Sequence, residues 1–275
     1  MPEIFGLDCY SPREIAERVE AVGVKKANLP GLSMVALGVL AGGFIGLGAL
    51  YYTIVTSDPE LGFALKRILG GLAFSLGLIL VVIAGAELFT GNNLLVMAWV
   101  SRRITPGRMF YNLAIVYFAN LIGAMGLAML VAWSGHLKLA DGTVGVTAVG
   151  IAAAKCALPF GEAFFKAVLC NVLVCLAVWI AMAGRNVTDK ILAIVFPISA
   201  FVAAGFEHSV ANMYFITLGL MVRHDPAYAG VPYLTELNWP GFVHNLIPVT
   251  LGNLAGGALM VGLVYWVIYR RPGTQ

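Results

Sequence analysis

Residues 84–93, AGAELFTGNN, and residues 204–213, AGFEHSVANM, align without a gap and share Ala, Gly, Glu and Asn at four of ten positions. Each copy lies in an apolar run whose only charged residue is its own glutamate, Glu87 in residues 68–101 and Glu207 in residues 191–222. A carboxylate is costly in hydrocarbon, and an ionisable residue in such a run marks a functional site by default. Two of them, at matching places in two halves of one chain, point to a binding or conduction site at the middle of a bilayer.

The composition agrees. Of 275 residues, 60% are hydrophobic and 11% charged, where a soluble domain carries roughly 25% charged residues. The net charge is only +3 and the basic residues form no long run, which argues against a nucleic-acid partner. Six runs nearly free of charge, 27–57, 68–101, 109–137, 167–184, 191–222 and 237–269, predict six membrane-spanning helices at about 20 residues each. As straight helices the second and fifth would reach roughly 50 Å, against a hydrocarbon core of about 30 Å. Both are expected to break at the duplicated motif. Cys9, Cys156, Cys170 and Cys175 lack metal-ligand spacing, so they read as structural, and neither a metal nor a cofactor is expected. The first 28 residues are charged and polar, unlike a cleavable signal peptide.

The third and sixth spans repeat each other too. Residues 112–123, NLAIVYFANLIG, and 245–256, NLIPVTLGNLAG, both fit NLxxVxxxNLxG. A repeat of three spans must enter the membrane the second time from the opposite side, which makes the halves, about 29–135 and 159–270, an inverted pair. The expected organisation is an N-terminal amphipathic helix in residues 1–28, a six-span domain over 29–270 and a tail at 271–275. In the helix, Ser11 can cap, Pro12 suits the first position and Glu14 completes a capping box. Eleven basic residues on the side of both ends, against six on the other, orient the termini toward the cytoplasm. Gly38, Gly42 and Gly46 line one face of the first span and favour close helix packing.

Backbone freed by a break in hydrocarbon survives only where it lines a cavity or is buried in protein. Each half-helix that restarts there offers unpaired N–H groups and a positive dipole end, which suits an anion. Glu87 and Glu207 are expected either to accept from backbone N–H groups at the breaks or to meet the permeant directly. Asn92 and Asn212 can cap the half-helices. Thr90 at the first break can donate or accept. His208 at the second is expected to stay neutral until an anion arrives, then to donate a proton or act as a switchable charge. His136, His224 and His244 lie near span ends and read as interfacial.

The paired motifs, the NLxxV repeats and six spans in 275 residues resemble the formate/nitrite transporter family. The resemblance implies an all-α, aquaporin-like protomer with its own pore, assembled as a homopentamer in the bacterial inner membrane. It also implies small monovalent weak-acid anions as substrates: formate, nitrite, hydrosulfide, acetate or lactate. By the same resemblance, Leu88, Phe89 and Thr90 lie against the pore and His208 is its central histidine. Phe74 with Leu78 form one apolar constriction and Phe201 with Val174 the other. Asn171 and Lys155 complete the pathway.

A bare carboxylate in a dry passage costs tens of kcal/mol by idealised estimates. Protonating one of pKa about 3.9 at pH 7 costs roughly 4 kcal/mol. The neutral acid is therefore the expected species at the tightest ring, with protons as co-substrate. Lys155 would attract the anion at the mouth, and His208 and Thr90 would hold it at midplane. Formate is favoured, with a nitrite or hydrosulfide channel as the alternative. A water or glycerol channel is the remoter one, since such breaks resemble Asn-Pro-Ala and neither break here holds proline. An intramembrane enzyme is not expected, because HExxH and paired-Asp motifs are missing.

Overall fold

A computed structural model describes residues 9–271; the expected tail falls outside them from residue 272 onward. Among the described residues every regular element is helical. Helix α1 (Pro12–Ala27) opens with the expected capping box, Ser11 N–H donating to Glu14 Oε2 at 2.7 Å and Glu14 N–H to Ser11 Oγ at 3.4 Å. It is followed by α2 (Gly31–Thr56), α3 (Phe63–Leu80), the short α4 (Phe89–Asn92) and α5 (Leu95–Val100), and α6 (Pro106–Trp133). The second half holds α7 (Thr143–Cys156), α8 (Phe160–Ala181), α9 (Val187–Ala204), α10 (Ser209–Val222), α11 (Trp239–Leu254) and α12 (Val264–Tyr269). A π-helical stretch extends α3 to Gly85, and another joins α11 to α12. Six helices are long and apolar enough to cross a membrane: Gly31–Thr56, Phe63–Gly85, Pro106–Trp133, Phe160–Ala181, Val187–Ala204 and Trp239–Tyr269.

Both long runs break where the motif falls. At the first break Gly85 takes φ +85° and the chain runs extended through Ala86 and Leu88 before α4. At the second, Gly205 takes φ +74°, and the Gly205 and Phe206 N–H groups close α9 onto the Val202 and Phe201 carbonyls. Left-handed backbone suits glycine, which has no Cβ to clash. Each motif glycine thus ends a helix near the centre of its apolar run.

Helices α2 and α6 pack as α8 and α11 do. A Cβ on Gly42 would run into the Asn120 carbonyl, and one on Gly123 into that of Val39. In the second half Gly252 and Gly256 face the Phe164 and Val168 carbonyls in the same way. Helix α7 was not expected, because the uncharged stretch 142–154 is too short to span. It packs on α10 as α1 packs on α5, so each repeat begins one helix earlier than the span pattern suggests.

Candidate functional site

Each break is held by two layers of buried side chains, and the layers are duplicated. In the inner layer one asparagine takes the backbone groups that the break frees. Asn120 Nδ2 donates to the Gly38 and Glu87 carbonyls, both at 2.8 Å, and its Oδ1 accepts the Phe89 N–H at 2.9 Å. Asn253 does the same for Ala167 (2.9 Å), Glu207 (3.0 Å) and Ser209 (2.9 Å). A primary amide carries donors and acceptors on one flat group, which matches a backbone segment with both kinds unpaired.

The outer layer ties the glutamates to cations. Lys26 Nζ lies 2.9 Å from Glu87 Oε1, Asn92 Nδ2 donates to Oε2 at 2.7 Å, and Asn92 also donates to Asn112 at 2.8 Å. Asn112 in turn donates to the Lys26 carbonyl at 3.1 Å. Across the pseudo-symmetry, Lys155 lies 2.9 Å from Glu207 Oε1, Asn212 donates to Glu207 at 2.6 Å and to Asn245 at 2.7 Å, and Asn245 donates to the Lys155 carbonyl at 2.8 Å.

This corrects two expectations. The glutamates take side-chain donors rather than backbone N–H groups, because a buried carboxylate is best met by a cation. Asn92 and Asn212 cap nothing; they steer the glutamates. His208 is itself the cap of α10, its Nδ1 accepting the Ala211 N–H at 3.1 Å. With Nδ1 accepting, the neutral ring carries its proton on Nε2. Nε2 lies 2.9 Å from Thr90 Oγ1, so the ring donates and the Thr90 hydroxyl proton is left to point elsewhere. His208 is 2% exposed and Thr90 0%.

Two cavities lie near this pair; His208 lines one of them and Thr90 lines neither. The one on the α7 side, ≈ 260 Å³, is walled by Phe74, Lys155, Phe201, Glu207 and His208, with Arg67 also lining it. The one on the α1 side, ≈ 470 Å³, is walled by Lys26, Leu78, Glu87, Leu88, Asn92 and Val178. Phe74 therefore sits with Phe201, ring centroids 5.7 Å apart and edge-on, not with Leu78 as expected. The reason is that α3 packs directly on α9. Val174 is buried and lines neither cavity; Val178, one turn on, does.

Asn171 and Phe89 also line neither cavity. Asn171 stands behind Thr90, donating to its carbonyl at 3.3 Å and to that of Asn253 at 2.6 Å. The Phe89 ring packs edge-on against Tyr117 at 4.9 Å. Lys26, Arg67, Asn112, Asn120, Asn245 and Asn253 were not singled out from sequence. The four asparagines had a signal, since buried amides in hydrocarbon must be paired and all four sit in the NLxxVxxxNLxG repeat.

A family model described as "Formate/nitrite transporter" matches residues 13–267. The chain belongs to the formate/nitrite transporter family. Within the family it is 41% identical to the formate channel FocA of Escherichia coli strain K12, over 98% of this chain and 97% of that relative. A probable formate transporter of Methanothermobacter thermautotrophicus is 39% identical, over 96% and 99% of the two chains. Among solved structures, a pentameric formate channel with formate bound matches at 38% identity with a TM-score of 0.81, covering 88% of this chain and 98% of that one. A chain described as an FNT family ion channel matches at 34% identity and TM-score 0.82, covering 92% and 98%.

Proposed function

We propose that the chain carries small monovalent anions of weak acids, formate first among them, across the bacterial inner membrane, and that it is not an enzyme. The likeness to formate channels over nearly the whole chain supports the substrate class. The observation that carries the mechanism is the buried Thr90–His208 hydrogen bond lying between two cavities, each with its own lysine–glutamate pair. Apolar rings flank it, Phe74 and Phe201 on one side, Leu78 and Leu88 on the other.

The positive charge on Lys155 is balanced by Glu207, so Arg67 supplies the uncompensated attraction at that mouth. Past the phenyl ring the anion meets the free Thr90 hydroxyl, held in place by His208. A neutral His208 whose Nδ1 accepts from Ala211 cannot give up its Nε2 proton without becoming an imidazolate. The proton that neutralises the anion therefore comes from bulk solution through the cavity, a hydronium passing its proton to a carboxylate oxygen and leaving water, at the roughly 4 kcal/mol that pH 7 imposes on a carboxylate of pKa about 3.9. His208 and Thr90 orient the guest rather than protonate it. The protomers would assemble as a homopentamer, as in the solved relative, with both termini and α1 on the cytoplasmic face.

The test is uptake of labelled formate and nitrite by proteoliposomes across a pH series, wild type beside His208→Asn and Thr90→Val. Both substitutions should change anion selectivity or its pH dependence. Unchanged flux and selectivity at every pH would remove the pair from the pathway, and equal transport of glycerol would favour a neutral-solute channel.

A further inference from the structure

A third cavity, ≈ 400 Å³, lies apart from the transport path and is lined by Asn28, Trp99, Arg102, Arg103, Thr105 and Arg108 among others. Three of its walls are arginines and none is acidic. Arg103 is engaged, its Nη1 3.0 Å from Glu20 Oε1. Arg102 and Arg108 are exposed and have no ion pair among the described residues. Two guanidinium charges thus face the cavity without compensation.

The backbone there is built in a way that needs explaining. Helix α5 closes with the Arg103 N–H donating to the Ala98 carbonyl at 2.9 Å and the Arg102 N–H to that of Trp99 at 2.8 Å. This closure places the residue at 102 in the left-handed region, and Arg102 has φ +59°. Glycine or asparagine ordinarily fills that position. An arginine there keeps a backbone that glycine would relieve, as Ala140, Asp141 and Tyr233 do elsewhere at φ +51°, +53° and +60°, and it sets the guanidinium at the cavity wall. The same wall carries the first turn of the 28-residue α6, with Thr105 as its cap, whose positive dipole end adds to the attraction. Trp99 is 37% exposed beside it, an amphipathic ring of the kind that settles at a membrane–water boundary.

We propose that this cavity binds a phosphate-bearing anion, with the fork of Arg102 and Arg108 on the phosphate oxygens, a geometry in which guanidinium groups excel. The phosphate can come from an acidic lipid headgroup, whose chain would lie along Trp99, or from solution. The site is independent of the reading of the pore.

The test uses the full chain in detergent micelles and follows its thermal unfolding midpoint with added phosphatidylglycerol, phosphatidylcholine or inorganic phosphate. Phosphatidylglycerol at saturation should raise the wild-type midpoint by about 5 °C, and zwitterionic phosphatidylcholine should not. Without ligand, Arg102→Gly should be at least as stable as wild type, because glycine fits the left-handed turn, and yet it should lose the lipid-induced shift. Arg108→Gln, exposed on the first turn of α6, should lose it as well. A shift with inorganic phosphate that both variants abolish would support the site with a dissolved ion as its ligand. No shift in wild type with either phosphate source, or a full shift retained in Arg102→Gly/Arg108→Gln, would overturn the proposal.

Discussion

Replacing Lys155 by methionine asks whether the lysine–glutamate pair at each break holds the architecture or only colours the cavity. Methionine keeps an unbranched stem of similar length and removes the charge. The Glu207 side chain, 6% exposed, would lose the 2.9 and 3.0 Å contacts from the ammonium and keep only the 2.6 Å bond from Asn212. Stranding one member of a buried ion pair costs about 3–5 kcal/mol. In a chain of this size each kcal/mol moves the unfolding midpoint by ~2–4 °C, so Lys155→Met should unfold roughly 10 °C early. The double variant Lys155→Met/Glu207→Gln removes the stranded charge, leaves an amide oxygen to accept from Asn212, and should regain most of that loss. Lys26 is 27% exposed against 15% for Lys155, so water can partly replace it and Lys26→Met should cost less. Intrinsic fluorescence during heating in detergent reads all four proteins. A Lys155→Met midpoint equal to wild type, or a double variant below the single one, would refute the argument.

Three further outcomes follow from the geometry. Asn253→Leu leaves the Ala167 and Glu207 carbonyls and the Ser209 N–H unpaired, at about 1 kcal/mol or more for each group; its midpoint should fall by more than that of Asn171→Leu, and an equal fall would count against the clamp. Gly205→Ala forces a Cβ into φ +74° and to within 2.6 Å of Arg67 Nη2, so it should cost about 1–2 kcal/mol, whereas Gly91→Ala, with 3.6 Å to its nearest neighbour, should leave the midpoint unchanged. Burial pushes the Glu20 carboxyl up, but hydrogen bonds from Arg270, Ser101 and Arg103 outweigh it and hold the group below its ordinary value. A carboxyl depressed in the folded state stabilises fully above its unfolded pKa and loses that contribution as pH falls through the folded one. Protection of the α1 amides, taken relative to intrinsic exchange at each pH, should therefore be constant from pH 7 to about pH 5 and fall only below about pH 4, while Glu20→Gln should lower it above about pH 5; loosening of the wild type already at pH 6 would contradict this.

The spans, their breaks and the inverted repeat were legible because each leaves a mark that hydrocarbon enforces. A run without charge is long enough to cross or it is not, and a lone glutamate within one must be answered. What the sequence concealed lies between elements. Helix α7 carries no span-length signal, so Lys155 looked like a mouth residue rather than the twin of Lys26. The partners of Glu87 and Glu207 were out of reach because the lysines stand 61 and 52 positions away. Carrying Phe74 over from the family by position alone gave its type but not its company. Only the packing of α3 on α9 brings its ring to Phe201.

The duplication also shows where the chain needs to be unequal. Both halves carry the same lysine, glutamate and three asparagines, so scaffold and chemistry can be separated by comparing positions. At the step into the half-helix one copy has Leu88 and the other His208; two residues on, one has Thr90 and the other Val210. His208 of one copy meets Thr90 of the other, so by the pseudo-symmetry a histidine at 88 would meet Val210 and find no hydroxyl there. With Leu88 in that place, apolar and lining the α1-side cavity with Leu78, a single imidazole meets a single hydroxyl across the two breaks. The symmetric frame thus holds one buried polar side-chain pair, with Phe74 and Phe201 lining the cavity on one side and Leu78 and Leu88 the cavity on the other.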